Sequence, residues 1–161
     1  MDYHISSALG RHKHSMCLRR SSLDDIISTL VSKHHFMDAH KKKILIIEDD
    51  EHVSKVYEMK FTKEGYETVF VVSGEDAVEK VTAERPNLII LDLMIPKKDG
   101  FAILEEIKKN PSVSKIPVLV LSNLGGKADQ DRAMALGANE YMVKVNYSMQ
   151  EVIDRAKSYL Q

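Results

Sequence analysis

The chain of 161 residues is long enough for one domain with an appendage, and 43% hydrophobic with 29% charged residues is the balance of a protein that builds a full core. Its formal net charge of -1 supplies no basic excess, which argues against nucleic acid and against an anionic membrane as partners. The single cysteine, Cys17, cannot close an internal disulfide, no apolar run reaches the length of a membrane span, and the N-terminus lacks the apolar stretch of a signal peptide, so the expected compartment is the cytoplasm.

Composition shifts near residue 40. Six of the seven histidines (His4, His12, His14, His34, His35 and His40) precede Lys41, and the patterns that build a core follow it. Residues 1–40 therefore read as an N-terminal extension, partly disordered, and 41–161 as the main domain. Within the extension, Leu23, Ile26, Ile27, Leu30 and Val31 recur at helical spacing and predict one amphipathic helix over about 22–35, with Ser22 as its cap. Its apolar stripe calls for a partner, either the main domain or a second copy of the chain; a loosely ordered extension is the blander reading. The histidines lack the paired spacing of a structural metal site.

From Lys43 onward, short apolar runs alternate with helical patterns. Strands are expected at ILII (44–47), YETVFVV (66–72), NLIILDL (87–93), IPVLVL (116–121) and NEYMVK (139–144), several apolar on successive residues as in a sheet buried on both faces. Helices are expected to start near Glu51, Gly74, Gly100, Lys127 and Met149. Ser148 with Glu151 forms a capping-box pattern at the last start, and Tyr147 with Val152 would be its hydrophobic staple. Five strands alternating with five helices predict an α/β fold with a doubly wound parallel sheet.

Four consecutive acids, Glu48 to Glu51, end the first apolar run and repel one another unless a positive group sits among them. In open parallel sheets, sites form at the carboxyl ends of strands beside the topological switch point. Asp92 ends the third strand; if the first and third strands are neighbours, Glu48, Asp49 and Asp92 converge. Three carboxylates in one pocket suit a hard divalent cation that keeps several waters, which points to Mg²⁺. Ser122 and Lys144 end the fourth and fifth strands and add a hydroxyl and an ammonium to the same rim. A nucleophile with positive groups around it is what phosphoryl transfer to a carboxylate requires.

These motifs, ILIIEDDE, LIILDLMIPKKDG, VLVLS and EYMVK, stand in order from Lys43 to about Leu160 and closely resemble the receiver domain of two-component response regulators. The resemblance implies a flavodoxin-like sheet of order 2-1-3-4-5 and Asp92 as phosphoacceptor. It also implies that Asp49 ligates Mg²⁺ directly, that Glu48 acts largely through water, and that the backbone carbonyl of Met94 completes the set. Lys144 would pair with Asp92 and the phosphoryl group, Ser122 would turn inward to hydrogen-bond it, and Tyr141 would rotate inward with the hydroxyl. Asp50 and Glu51 are left to the start of the first helix, where negative charge is favoured.

The implied partners are a sensor histidine kinase or phosphotransfer protein and a downstream protein target, with a second copy of the chain as a candidate. The chain is expected to be a phosphoacceptor that assists its own phosphorylation and dephosphorylation, not an enzyme, and to stand alone without an output domain. A pseudo-receiver that never carries phosphate is the alternative. Three departures from the family pattern set further expectations. Val145 replaces the proline usual after the lysine, which leaves the aim of Lys144 open; Asn123 is larger than the residue usual after the switch hydroxyl; and Met94 and Leu124 bring no group able to orient water, which predicts slow hydrolysis of a phospho-aspartate.

Overall fold

The computed structural model describes residues 41–161, so the expected helix over about 22–35 and the histidines before Lys41 lie outside the described residues. Elements follow in strict alternation: β1 (Lys43–Ile47), α1 (Glu51–Lys63), β2 (Glu67–Val71), α2 (Ala77–Glu84), β3 (Leu88–Leu91), α3 (Gly100–Lys109), β4 (Val118–Ser122), α4 (Lys127–Ala135), β5 (Glu140–Val143), a 3₁₀ turn (Lys144–Asn146) and α5 (Met149–Ser158). All strands are parallel in the order β2-β1-β3-β4-β5. This is the order the family resemblance implies, and it places β1 beside β3.

Alternation along each strand divides the core into two layers. Leu45 and Ile47 of β1, Ile89 and Leu91 of β3, and Val118 and Val120 of β4 pack with α2, α3 and α4 through Val81, Phe101, Leu104 and Ala133. Ile44, Ile46, Leu88, Ile90, Leu119 and Leu121 pack on the other face with α1 and α5 through Tyr57, Phe61, Val152 and Ala156. Strands buried on both faces read as unbroken apolar runs, which is why ILII, LIIL and VLVL carry no period-two signal. Each Leu or Ile taken fully out of water contributes roughly 1.5–3 kcal/mol.

One helix start differs from expectation. The second helix starts at Ala77 and not near Gly74, because Gly74 and the two residues after it turn against the loop that follows β3. A Cβ at Gly74 would lie 2.8 Å from the Cβ of Lys98, so this residue serves a close approach of two loops and not a helix. The last helix starts as the sequence predicts: Ser148 Oγ accepts from the Glu151 amide at 3.3 Å, and Glu151 Oε2 accepts from the Ser148 amide at 2.7 Å. Among the described residues no helix is long and apolar enough to cross a membrane.

Candidate functional site

The carboxyl ends of β1 and β3 bring the acids together through backbone bonds. The Glu48 amide donates to the Val71 carbonyl at 3.1 Å, and the Asp92 amide donates to the Ile47 carbonyl at 3.0 Å, so both residues extend the parallel ladder by one step. Their side chains are buried, at 4% and 5% exposure, while Asp49 is exposed. One carboxylate oxygen from each of Glu48, Asp49 and Asp92 lies within 4.8 Å of the others. All three are hard oxygen donors, one of them open to solvent, and that donor set fits a divalent cation retaining several waters.

Lys144 supplies positive charge to the same pocket. Its Nζ donates to Asp92 Oδ2 at 2.6 Å and to Glu48 Oε2 at 2.7 Å, while Asp92 Oδ1 accepts from the Met94 amide at 2.9 Å. The departure at Val145 does not turn this lysine away: no cis peptide occurs among the described residues, and a 3₁₀ turn opens at Lys144 itself. Burial pushes the Glu48 carboxyl above its ordinary range, against the lowering pull of Lys144. Burial alone would lower the Lys144 ammonium, but its bonds to Asp92 and Glu48 outweigh that and hold it above its ordinary value.

The other acids of the run separate as expected. Asp50 is the N-cap of α1, its carboxylate accepting from the amides of His52 at 2.8 Å and Val53 at 3.2 Å. Those bonds, the one from Val53 foremost, hold its carboxyl below the usual range. Glu51 falls in the first turn, where the helix dipole favours it.

Ser122 closes β4 and is fully buried; its Oγ accepts weakly from the Leu124 amide at 3.4 Å. Tyr141, half-buried on β5, donates its hydroxyl to the Leu124 carbonyl at 2.7 Å and packs against the core layer of α2 to α4. Burial, then the charges of Asp129 and Asp92, raises its phenol above the ordinary value. The loop after Ser122 is thereby held from both sides. Asn123, the larger residue after the switch hydroxyl, is exposed. Met94 is 54% exposed.

Two contributors escape sequence reasoning. Tyr57 of α1 is buried, and its phenol is pushed far up by burial and then by the charges of Glu48 and Asp92. It lines, with Lys144, Leu121, Val53, Tyr147 and Val152, a crevice of about 190 Å³ behind the lysine. In the sequence it reads as one more apolar position of α1, and only its hydroxyl hints at more. Arg132 of α4 lies over the Phe101 ring at 4.0 Å and reaches Asp99 at 3.7 Å, tying α4 to the start of α3. No spacing rule connects residues so far apart in the chain.

Comparisons with known proteins agree with this geometry. The response regulator receiver domain, as a family, matches residues 44–157. A probable transcriptional regulator, ycf27, of Cyanophora paradoxa is 38% identical over 125 residues, covering 78% of this chain and 51% of that protein. The chain spans about half the length of the curated relatives it matches. Among solved structures, the Mn(2+)-bound form of response regulator Rcp1 is 30% identical with a TM-score of 0.63, covering 73% of this chain and 90% of that one. The phosphorylated cyanobacterial phytochrome response regulator RcpA is 29% identical with a TM-score of 0.62, over 73% and 90% of the two chains. The alternating fold, the acids laced onto the central strands and the match across nearly all of the described residues lead to one assignment: the chain belongs to the response regulator receiver domain family of two-component systems.

Proposed function

We propose that Asp92 accepts a phosphoryl group from a phosphohistidine of a sensor histidine kinase or phosphotransfer protein, with Mg²⁺, and that phosphorylation resets the surface around Tyr141 for a protein target. The observation that carries this reading is the buried Asp92 carboxylate at a strand end, with the ligand oxygens of Glu48 and Asp49 within 4.8 Å and the Lys144 ammonium at 2.6 Å. Rcp1, a relative at 30% identity, is described as Mn(2+)-bound, and RcpA, at 29%, as phosphorylated.

Asp92 is the nucleophile. A carboxylate oxygen forms a bond to phosphorus while the bond from phosphorus to the imidazole nitrogen breaks and leaves its electron pair on that nitrogen. Glu48, Asp49, Asp92 and the Met94 carbonyl would hold the cation, which when bound neutralises carboxylate charge and stabilises the transferring oxygens. The Met94 amide and Lys144 fix the Asp92 carboxylate through its two separate oxygens, so it meets the donor in one orientation. Lys144 also balances charge that gathers on the phosphoryl oxygens, and the Ser122 hydroxyl stands ready as a donor to them. Tyr141 reports that change through the Leu124 carbonyl it already holds.

On this reading the chain is a phosphoacceptor that assists its own phosphorylation and dephosphorylation, not an enzyme with a diffusible substrate. The expected absence of a nucleic-acid partner rests on charge balance alone, and the curated relatives are named probable transcriptional regulators. A DNA-binding assay of the full chain decides between them. The test of the acceptor is intact-protein mass after incubation with acetyl phosphate, with and without Mg²⁺, alongside Asp92→Asn. One phosphoryl adduct that requires Mg²⁺ and is lost in Asp92→Asn is the expected result; no adduct on folded protein overturns the proposal.

A further inference from the structure

Strand β2 is an edge of the sheet: among the described residues it pairs with β1 alone. Native edges are ordinarily blunted by lysine, proline, a bulge or a covering segment. Between Glu67 and Val72 the sequence ETVFVV has neither lysine nor proline, and its register on β1 runs without a bulge. Threonine, valine and phenylalanine are also the residue types most at home in strands.

Backbone accounting shows which groups this edge offers. The Glu67 amide donates to the Lys42 carbonyl, and the Val71 carbonyl accepts from the Glu48 amide, so the odd-numbered residues of β2 turn toward β1. Thr68 and Phe70 of β2, and Val72 just past its end, then direct their amides and carbonyls outward, where they have no sheet partner among the described residues. A groove of about 240 Å³ lies beside that edge, lined by Glu51, Ser54, Lys55, Glu58, Phe70 and Val72. Val72 is 50% exposed, and the buried Ser54 hydroxyl in the same groove has no hydrogen-bond partner among the described residues. Among the described residues the groove is unfinished.

We propose that this edge pairs with a second copy of the chain, β2 against β2 antiparallel, about a two-fold axis through Phe70. That axis sets Phe70 opposite Phe70 of the second copy and Thr68 opposite Val72. Every outward amide and carbonyl of these residues gains a partner in the narrow hydrogen-bonded pairing of an antiparallel ladder. The two aromatic rings stand on the same face as a cross-strand pair. Both α1 helices lie on that face and bring Lys55 and Glu58 of each copy, which line the groove, toward those of the other; among the described residues Lys55 has only an exposed contact with Glu51 at 4.0 Å. The two copies of Glu67 fall at opposite ends of the pairing, so no like charges oppose. One strand thus matches itself in backbone parity, face and charge, and the product is a continuous ten-stranded sheet built from two five-stranded ones.

The test is sedimentation of the full, unphosphorylated chain over a concentration series, with Val72→Lys and Thr68→Lys as edge-charge variants whose folding is checked by circular dichroism. Amide hydrogen exchange runs in parallel. The expected result is a reversible monomer–dimer equilibrium that either lysine weakens about tenfold or more. Protection of the Thr68, Phe70 and Val72 amides should rise with concentration. A wild type that stays monomeric overturns the proposal, as does a dimer indifferent to both lysines, which would place the interface elsewhere. Full protection of those amides in the monomer would show that another segment of the chain or a different partner occupies the edge, and that also overturns it.

Discussion

Lys144 holds two carboxylates at once and supplies positive charge to both. Removing it leaves Glu48 and Asp92 buried and uncompensated. Lys144→Met should lower ion-free stability by about 2–3 kcal/mol, below the full cost of breaking a buried pair because the lysine keeps some contact with water. The same substitution should tighten Mg²⁺ binding about tenfold, because the cation no longer competes with an ammonium for Glu48. Urea unfolding and calorimetric titration check the two halves, and weaker Mg²⁺ binding in the variant would refute the competition. Met94 and Leu124 present apolar side chains beside the acceptor and the switch serine, so a phospho-aspartate here should be long-lived. Met94→Asn or Leu124→Glu should shorten its lifetime about tenfold, a barrier change of about 1.4 kcal/mol, in a time course of intact mass. An unchanged lifetime would count against this. The acids, Ser122 and Lys144 were legible because each closes an apolar strand run. Tyr57 was not, since its contact with the site depends on which face of α1 turns inward and how far the ring reaches.

At the scale of elements, the turn from β3 into α3 is the most constrained piece of backbone. A Cβ on Gly100 would lie 2.4 Å from the Leu93 Cα, and no flexible atom can yield there. Gly100→Ala should cost about 3 kcal/mol or more and should lower the yield of phosphorylated Asp92, because the displaced segment adjoins the acceptor. Three residues earlier, Lys97 sits at φ 71°, a left-handed conformation that costs a residue with a Cβ about 1–2 kcal/mol. Lys97→Gly relieves that strain against a smaller gain in unfolded-state entropy, so thermal unfolding should show about 0.5–1 kcal/mol more stability. Its ion pair with Glu75 at 3.7 Å is exposed and offsets little. Glycines near both helix starts were visible in the sequence, but their uses differ. Gly100 begins α3, whereas Gly74 lets two loops touch, and only the loop packing separates the cases.

For the whole molecule, alternation of short apolar runs with helical patterns was enough to read the class of fold, because sheet burial on both faces leaves so few ways to arrange five strands. Strand ends were less legible: β3 is Leu88–Leu91, whereas the stretch read as a strand runs over 87–93. The ion pairs of Glu84 and Glu105 were not legible, whereas the capping box at Ser148 was, and all three contribute to the response to acid. Glu84 is held below its ordinary value chiefly by its bond to Lys43 and then by Lys80, Glu105 chiefly by Lys109, and Glu151 by the Ser148 amide and hydroxyl. A lowered carboxyl contributes stability above its unfolded value and loses it as pH falls through the folded one. The unfolding midpoint should therefore hold steady on this account down to about pH 4.5 and fall below it. Lys43→Met should make the fall shallower, and an unaltered acid limb would remove Glu84 from the explanation. The amides of Glu48 and Asp92 are bonded into the ladder at Val71 and Ile47, so the two buried acids belong to the sheet and not to the loops around them. A chimera that exchanges the segment between Lys144 and Ser148 for that of a relative should keep both acids in place and alter only what approaches them. Partner choice can therefore diverge quickly while the chemistry stays fixed.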